Sequence, residues 1–212
     1  MGRNLDPKCK QCRRLGEKLF LKGERCNTQK CAMVKRNFAP GLHGQSVARG
    51  RKRVSDYGLQ LAEKQKVKKY YQLMEKQFLL TFKKSGKRSG DHGINFLSML
   101  ETRLDNVLLR LTWASSHTQA RQIVNHGHIT VNGRKVDIPS YQVKPGSIIK
   151  IKKSSLNSKF FRDLKDRMKK SELPSWLHYD SEDMSAKVLH EPQGNDLPQN
   201  FKVHMIIEYY SK

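Results

Sequence analysis

Residues 116–136, SHTQARQIVNHGHITVNGRKV, decide the fold of the middle of this chain. Ser116, with Gln119 three residues later, has the form of a capping box, which begins a helix. Gly127 suits the end of that helix. The pair Asn132-Gly133 stands between alternating residues and is the strongest short-range signal for a hairpin turn. The stretch therefore predicts a short helix followed by two antiparallel strands.

On either side of this stretch the sequence predicts one more helix and one more strand. Apolar residues recur at helical spacing from Phe96 to Leu111. Pro145-Gly146 then introduces a strand over residues 147–152. We therefore predict an α+β chain in which a small α/β unit at residues 94–155, with two helices packed on a small antiparallel sheet, is inserted into a mainly helical domain.

The polar side of this unit is a candidate surface for RNA. Its Arg, Asn, Gln and His side chains suit recognition of the backbone and shape of RNA. A merely solvated helix face explains the polar stripe of the short helix equally well when that stripe is taken alone. The candidate contacts are Ser116, Thr118, Arg121, Gln122, Asn125, His126, His128, Asn132 and Arg134.

The positive charge of the chain is concentrated in its first part. The 212 residues hold 42 Lys and Arg against 19 Asp and Glu, a formal net charge of +23. Residues 1–90 carry 24 basic and 6 acidic side chains, and residues 91–212 carry 18 and 13. A basic half joined to a nearly balanced half is typical of proteins that bind nucleic acid, and the self-repulsion favours a polyanionic partner.

Neither a membrane nor a small-molecule substrate is expected as a partner. No apolar run approaches the roughly 20 residues that a spanning helix needs, and the first residues lack the apolar core of a secretory signal. No P-loop, Gly-x-Ser-x-Gly or His-Glu-x-x-His pattern occurs. We therefore expect a soluble, cytosolic RNA-binding protein that is not an enzyme.

All four cysteines lie in the first 31 residues, as Cys9, Cys12, Cys26 and Cys31. Their paired spacing can aim four sulfurs at one point, as in a tetrahedral thiolate site, and the surrounding Lys and Arg residues favour the thiolate form. Disulfides are not expected without a secretory signal, and free thiols are the alternative. We expect one structural metal site with Zn²⁺ as the default ion, although the spacing leaves a 4Fe-4S cluster open. Leu19-Phe20-Leu21, between the two pairs, is predicted as a short strand followed by a turn.

A basic arm and a long helix are predicted between the cysteines and the compact unit. The Gly-containing loop at residues 38–45 and the Arg/Lys cluster at residues 49–53 suit phosphate contact; a solvated arm or a nuclear-import patch is the alternative. Ser55 can cap a helix that runs to about Phe82 with its apolar side on a core. The candidate RNA contacts of this basic part are Arg3, Lys8, Arg13, Arg14, Arg36, His43, Arg49, Arg51, Lys52, Arg53, Tyr57, Lys69, Lys83 and Lys84.

The C-terminal part differs in composition. Residues 171–200 hold six acidic side chains and one basic side chain, so we expect this part to pack on protein. Trp176 is predicted as a buried aromatic anchor, and residues 201–210 as a terminal strand. The predicted domains are a metal-binding module at 1–45, an arm and long helix at 46–93 that pack with 156–212, and the RNA-binding unit at 94–155.

Several motifs in one order resemble a known family. They are RLDNV at 103–107, ARQIV at 120–124, HGHI at 126–129, VNGR at 131–134 and IPSY at 138–141, together with PGLHG at 40–44, SDYGLQL at 55–61, EYYSK at 208–212 and the four cysteines. With these residues the chain resembles small-subunit ribosomal protein S-four of bacteria and organelles, almost from end to end.

The resemblance implies a function and several partners. Members bind small-subunit ribosomal RNA directly and nucleate assembly of the subunit. They lie beside ribosomal protein S-five and other small-subunit proteins, near the messenger RNA, where they influence translational accuracy. The resemblance places the chain in the ribosome, in the cytoplasm or in an organellar stroma or matrix. It also implies that the unit at 94–155 is the small RNA-binding domain named after the family, and that the cysteines belong to its metal-binding branch.

Two pairs of residues depart from the pattern of the family that the chain resembles. Tyr71-Gln72 stands where many members have Tyr-Gly, and Thr112-Trp113 stands where Gly-Phe is common. We interpret both as packing variants.

Overall fold

The computed structural model describes residues 4–45, 54–156, 158, 161, 164, 168, 172–181 and 183–211. The candidate contacts Arg3, Arg49, Arg51, Lys52 and Arg53 lie outside these residues. The chain forms two compact units, one of residues 1–82 with 199–212 and one of residues 83–198. No helix in the described part is long and apolar enough to cross a membrane.

The described elements follow one another as helices first and strands later. The helices are α1 (Lys8–Leu15), α2 (Ala32–Lys35), α3 (Asp56–Tyr70), α4 (Glu75–Ser85), α5 (His92–Glu101), α6 (Leu104–Arg110), α7 (His117–Asn125) and α8 (Val203–Tyr210). The strands are β1 (Ile129–Val131), β2 (Arg134–Lys135), β3 (Ile148–Ile151), β4 (Leu177–Asp180) and β5 (Ser185–Val188).

The long helix of the first unit begins where it was predicted to begin. The side chain of Ser55 accepts a hydrogen bond from the amide of Gly58 at 3.3 Å, which caps α3. Its predicted length is wrong, because α3 ends at Tyr70 and α4 starts at Glu75. Gln72 lies between the two helices with a φ of +56°, and a left-handed residue ends a right-handed helix.

The two departures from the family pattern are now explained by backbone conformation. Gln72 has a φ of +56°, and Thr112, which follows α6, has a φ of +54°. L-residues with a side chain are strained in this region, whereas glycine adopts it freely. The interpretation of Gln72 and Thr112 as packing variants is therefore wrong, because each stands at a position whose backbone favours glycine.

The last element of the first unit is a helix, so the terminal strand predicted at residues 201–210 is wrong. The run FKVHMIIEYY is rich in β-branched and aromatic residues, which suggested a strand. Its apolar residues Val203, Ile206 and Tyr210 nevertheless recur at helical spacing, and Ile206 is fully buried. The resulting helix α8 packs along α3.

The helix predicted from Phe96 to Leu111 is also two helices. α5 ends at Glu101 and α6 begins at Leu104. Between them, Arg103 forms an isolated antiparallel bridge with Gln142, and the carbonyl of Thr102 accepts a hydrogen bond from the amide of Val143 at 2.9 Å. The loop after the hairpin therefore pairs with this junction and interrupts the helix.

The sheet of the second unit has the strand order β2-β1-β3-β5-β4, with antiparallel neighbours throughout. The predicted hairpin is confirmed, since Val131 pairs with Arg134 and the turn residues Asn132 and Gly133 have φ angles of +50° and +78°. Two positive φ angles are those of a type I′ turn. The predicted third strand is also present, as β3.

Two further strands enlarge the sheet beyond the predicted unit. Ile149 of β3 pairs with Ala186 of β5, and β4 forms the edge beyond it. Of the predicted partner segment 156–212, only residues 199–212 join the first unit. The difference arises because pairing between β3 and β5 is a long-range contact that no local pattern signals.

The core of the second unit lies between α6, α7 and the sheet. Its fully buried members include Leu104, Val107, Leu108, Trp113, Val124, Ile129, Ile149, Trp176 and Ala186. The prediction of Trp176 as a buried aromatic anchor is therefore confirmed. The polar side of α7 lies opposite this core, which makes it available to a partner.

Candidate metal centre and RNA interface

The four cysteines line one pocket of the first unit. Cys9 and Cys12 lie on α1, Cys26 lies in a 3-10 turn at Gly23–Asn27, and Cys31 directly precedes α2. Cys12 and Cys31 are buried, and all four are free thiols. The four cysteines predicted as metal ligands therefore lie around one pocket.

The segment between the two cysteine pairs is not the predicted strand. Leu19 and Leu21 are buried with Cys12, Cys31 and Met33 in a small cluster, while Phe20 points outward with a φ of +51°. The alternation of buried and exposed residues is that of a strand, which explains the wrong prediction. The chain must instead turn sharply here, because it returns to the cysteines within a few residues.

The surroundings of Cys12 favour its neutral thiol in the absence of a cation. Burial raises the pKa of the Cys12 thiol, a hydrogen bond with the Leu19 backbone opposes this shift, and the charges of Cys26, Cys9 and Cys31 raise the pKa further. The Lys22 amide donates to the Cys26 sulfur at 3.4 Å. A soft cation would relieve the repulsion among the thiolates, and the set therefore fits Zn²⁺ or an iron–sulfur cluster in its chemistry.

The ligand geometry itself is not formed. Among the described residues, no group of three or more His, Cys, Asp or Glu side chains is arranged as a metal-binding site. The metal centre therefore stays a prediction.

Two basic candidates of the first unit bind atoms of the protein. The Lys8 ammonium donates to the carbonyl of Asn4 at 2.7 Å and also to the side-chain oxygen of Gln72. The Arg13 guanidinium donates to the carbonyl of Phe38 at 2.9 Å and lies 4.9 Å from the centre of the Phe38 ring. These contacts hold the N-terminal segment and the loop near residue 38, so both side chains have a structural role.

The other described RNA-contact candidates of the first unit are more exposed to solvent. Arg14, Arg36, His43, Tyr57, Lys83 and Lys84 are exposed, and Lys69 is half-buried. Tyr57 lies 5.6 Å from Tyr209 between ring centres, which places an aromatic pair at the start of α3. The structure thus distributes the exposed basic candidates over α1, the loop after α2, and α4.

Three lysines of α3 are engaged within the protein. Lys64 donates to Glu75 at 2.6 Å, and Lys68 donates to the other oxygen of Glu75 at 2.7 Å. Lys66 donates to the carbonyl of Asn200 at 2.9 Å. Helical spacing alone did not indicate that Lys64 and Lys66 are buried. Their burial could have been suspected because both lysines lie three or four residues from apolar residues of the same helix, and such residues share one helix face.

The polar face of the second unit is largely the predicted one. Thr118, Gln122, Asn125, His126 and Arg134 are exposed, as is Asn132, and His128 is half-buried. Two of the candidates also have local structural roles. The Ser116 hydroxyl accepts from the Gln119 amide at 3.3 Å and caps α7. The Asn132 side chain accepts from the Ile148 amide at 2.8 Å and ties the hairpin to β3.

Arg121 does not belong to the exposed stripe. It is buried, and its guanidinium lies 3.9 Å from the carboxylate of Asp105. Helical spacing predicted that Arg121 lies on the same exposed face of α7 as Thr118 and Gln122. In the structure it lies at the edge of that face, next to α6. The expected exposure of Arg121 is therefore wrong.

The histidines after α7 form a small cluster. The rings of His126 and His128 are 5.9 Å apart between centres, and Nδ1 of His128 lies 2.9 Å from the hydroxyl of Ser155. Partial burial lowers the pKa of His128, as do the nearby charges of His126 and Lys152. His128 is thus favoured in its neutral form, which can both donate and accept a hydrogen bond.

The motif at residues 103–107 and the residues next to it form a largely buried polar network. The Arg103 guanidinium donates to both oxygens of Asp105, at 3.0 and 2.7 Å. Glu101 is fully buried and accepts two hydrogen bonds from Arg110, at 2.8 and 2.7 Å. These paired charges fix α6 against its neighbours and explain why this motif is so polar inside a core.

The comparisons with known proteins cover the whole chain. Residues 3–101 match the family model described as the ribosomal protein S4/S9 N-terminal domain, and residues 102–149 match that of the S4 domain. The chain is 50% identical to small ribosomal subunit protein uS4A of Alkaliphilus metalliredigens, and 51% identical to small ribosomal subunit protein uS4 of Clostridioides difficile. Each match spans 212 residues and all of both chains. The chain belongs to the uS4 family.

The uS4 relatives confirm the resemblance at the level of the family. A third relative, small ribosomal subunit protein uS4 of Thiobacillus denitrificans, is 47% identical over the full length of both chains. The S4 domain match contains α6, α7 and the β1–β2 hairpin, which carry the exposed polar face. In this uS4 chain the sheet continues past residue 149, since β4 and β5 complete it.

Proposed function

We propose that this chain is a structural component of the small ribosomal subunit that binds ribosomal RNA and catalyses no reaction. The proposal rests on the sequence identity of 50% and 51%, over the full length, to proteins named small ribosomal subunit protein uS4A and uS4. The exposed basic residues of the first unit supply the phosphate contacts that RNA affinity requires. The exposed face of α7 and the hairpin supplies polar groups that suit a folded RNA.

The proposal is tested by co-sedimentation and by binding. A tagged chain expressed in cells should sediment with the small ribosomal subunit in a sucrose gradient. The purified full chain should bind small-subunit ribosomal RNA with an affinity that falls steeply as salt increases. A chain found only at the top of the gradient, or one with equal affinity for an unrelated RNA duplex at physiological salt, contradicts the proposal.

We further propose an early role in assembly and contacts with other ribosomal proteins. An early-binding protein must recognise RNA without help from its neighbours, and the combination of many exposed cations with a shaped polar face suits that task. Asp180 and Asp183, on β4 and the turn after it, are exposed carboxylates that suit a protein partner better than RNA, and Asp183 also pairs with Lys150 at 3.0 Å. Ribosomal protein S-five is the partner that the family resemblance implies, near the messenger RNA and with an influence on accuracy.

Reconstitution tests this finer role. The chain added alone to naked small-subunit ribosomal RNA should bind, and later proteins should then bind faster. Binding that requires other proteins first contradicts an early role. Crosslinks from Asp183→Cys should reach a ribosomal protein, and crosslinks to RNA alone contradict the protein-facing role.

We propose that Cys9, Cys12, Cys26 and Cys31 hold one structural Zn²⁺ ion, with a 4Fe-4S cluster as the alternative. The donor set supports this, because all four cysteines line one pocket and four thiolate ligands suit a tetrahedral Zn²⁺ site. A bound cation would be coordinated by the deprotonated sulfurs and would crosslink α1, the 3-10 turn and α2. Elemental analysis of protein purified without oxygen should find about one zinc ion, or iron and sulfide, per chain. Absence of both metals contradicts the proposal.

A further inference from the structure

Phe20 is an exposed aromatic residue with a strained backbone, in the segment between the two pairs of cysteines. Its side chain is 54% exposed, whereas its neighbours Leu19 and Leu21 are each only 3% exposed. Its φ of +51° lies in the left-handed region, which is unfavourable for a residue with a bulky side chain. Exposure of so large an apolar side chain to water is unfavourable as well. Phe20 therefore stands at a position where stability favours a different residue.

The local fold explains the backbone of Phe20 but not its side chain. The left-handed turn allows Leu19 and Leu21 to be buried together in one small cluster, and the Phe20 carbonyl accepts a hydrogen bond from the Gly23 amide at 3.3 Å. Glycine or asparagine would form the same turn with less strain. In the part of the chain that the structure describes, the ring of Phe20 stacks on no other aromatic side chain. The ring is therefore available to a partner.

The surroundings of this ring are positively charged. Lys18 and Lys22 are exposed, and together with the ring they line the cysteine pocket. Residues 17–25 hold three basic and two acidic side chains, and one of the two acidic ones, Glu17, already lies 2.7 Å from the ammonium of Lys66. An exposed ring beside two cations fits a ligand that has both an aromatic plane and negative charge, and it disfavours a basic protein segment.

We propose that the ring of Phe20 stacks on one unpaired base of the RNA. The inference rests on the proposed function and deepens it, because it assigns to the first unit a base contact, which differs in chemistry from a phosphate contact. Bases inside a duplex are already stacked on their neighbours, so the ligand is a nucleotide of a loop, a bulge or a junction. The turn directs the ring outward before RNA binds, so that little conformational freedom is lost on binding.

The test separates RNA binding from stability by removing the ring at a strained position. Because asparagine tolerates the left-handed backbone, Phe20→Asn should not lower the midpoint of urea unfolding of the full chain. Its affinity for small-subunit ribosomal RNA should fall about 5- to 100-fold, as expected for the loss of one stacked base. The loss should be the same at every salt concentration, because no phosphate contact is removed. Affinity for a fully paired RNA duplex of unrelated sequence should not change.

Two conservative variants distinguish stacking from a merely apolar contact. Phe20→Leu keeps an apolar side chain without an aromatic plane and should lose nearly as much affinity as Phe20→Asn. Phe20→Trp should keep the wild-type affinity, and small-subunit ribosomal RNA should quench the fluorescence of the new indole. The wild-type chain gives the background, since its two tryptophans, Trp113 and Trp176, are fully buried. Leu189→Ala, at an exposed apolar residue of the second unit, is the control and should not change RNA affinity.

Three outcomes overturn the inference. A lower unfolding midpoint for Phe20→Asn with unchanged RNA affinity shows that the ring only packs on the cysteine pocket. Wild-type affinity for Phe20→Leu shows an apolar contact without stacking. Selective binding of small-subunit ribosomal RNA that no Phe20 variant weakens contradicts the stacking site alone. A wild-type chain that does not prefer this RNA to the unrelated duplex contradicts the proposed function as well.

Discussion

The carboxylate of Glu75 lies 2.6 Å from the ammonium of Lys64 and joins the first residue of α4 to the middle of α3. The Tyr210 hydroxyl of α8 donates to the same carboxylate at 3.1 Å, and Lys64 also lies 4.6 Å from the ring centre of Tyr209. Glu75 therefore connects three helices of the first unit, and Lys64 is almost completely buried among them.

Glu75→Gln should destabilise the first unit, because Lys64 would remain buried without its anion. Burial raises the pKa of Glu75, but the hydrogen bonds and charges of Lys64 and Lys68 outweigh it and lower the pKa from 4.5 to about 2. The ionised Glu75 carboxylate therefore stabilises the fold above pH 4.5, and this stabilisation is lost as the pH falls toward 2. We expect a loss of about 1–3 kcal/mol in the free energy of unfolding at pH 7, measured by urea denaturation. The difference from wild type should shrink below pH 4.5.

The matched control for Glu75 is Glu191→Gln. Glu191 pairs with Arg88 at 3.2 Å, and both side chains are substantially exposed. We expect Glu191→Gln to lower the free energy of unfolding by less than about 1 kcal/mol. Equal losses of unfolding free energy in the two variants would show that the pair of Lys64 and Glu75 contributes no more than an exposed surface ion pair.

Thr112→Gly should stabilise the second unit. Thr112 has a φ of +54°, where glycine is unstrained, and relief of that strain should add about 1 kcal/mol to the free energy of unfolding. Loss of the contact of Thr112 with the Met168 sulfur at 3.2 Å offsets part of the gain. The control is Thr118→Gly on the exposed face of α7, which should destabilise by about 0.5–1 kcal/mol. A lower urea midpoint for Thr112→Gly would refute the backbone explanation.

Asp105→Asn should be strongly destabilising. The carboxylate accepts two hydrogen bonds from Arg103 and lies 3.9 Å from Arg121, and all three side chains are buried. Removing its charge leaves the buried Arg103 guanidinium without the carboxylate that it binds, for a loss of about 3–5 kcal/mol in the free energy of unfolding. Asp137→Asn, at an exposed residue, should change it by less than about 0.5 kcal/mol. Thermal or urea unfolding separates the two, and a mild effect of Asp105→Asn would mean that water reaches the arginines.

Gln122→Ala distinguishes an RNA contact from a solvated helix face. Gln122 is exposed on α7 beside Asn125. Loss of one hydrogen bond to RNA should weaken binding by roughly 2- to 10-fold, with the unfolding free energy within about 0.5 kcal/mol of wild type. Gln193→Ala, an exposed glutamine in the acidic segment, is the control and should not change RNA affinity. Unchanged affinity for Gln122→Ala would favour the solvated face.

Local signals predicted the local features of this chain. Ser55 and Ser116 cap their helices as expected, and Asn132-Gly133 forms the expected hairpin, because each of these depends on a few neighbouring residues. The spacing of the cysteines predicted a metal site, which stays a prediction, although all four cysteines line one pocket.

The errors come from interactions that a local pattern does not contain. Gln72 gives no sign that its backbone is left-handed, because glutamine ordinarily continues a helix. The pairing of β3 with β5 joins segments far apart in the chain, and it enlarged the second unit. Arg121 looked solvent-facing on its own helix, but it is buried and lies 3.9 Å from Asp105 on another helix. Tertiary contacts decided each of these cases.

The placement of α8 has a consequence for the order in which the chain folds during its own synthesis. Residues 83–198 form a unit that is continuous in the chain, whereas the unit of residues 1–82 also needs residues 199–212. A growing chain can therefore complete the second unit while the first is still missing a helix. Until α8 emerges and covers Lys64, the N-terminal helices expose an incomplete core during translation, and a nascent chain at this stage is the form most exposed to proteases and chaperones.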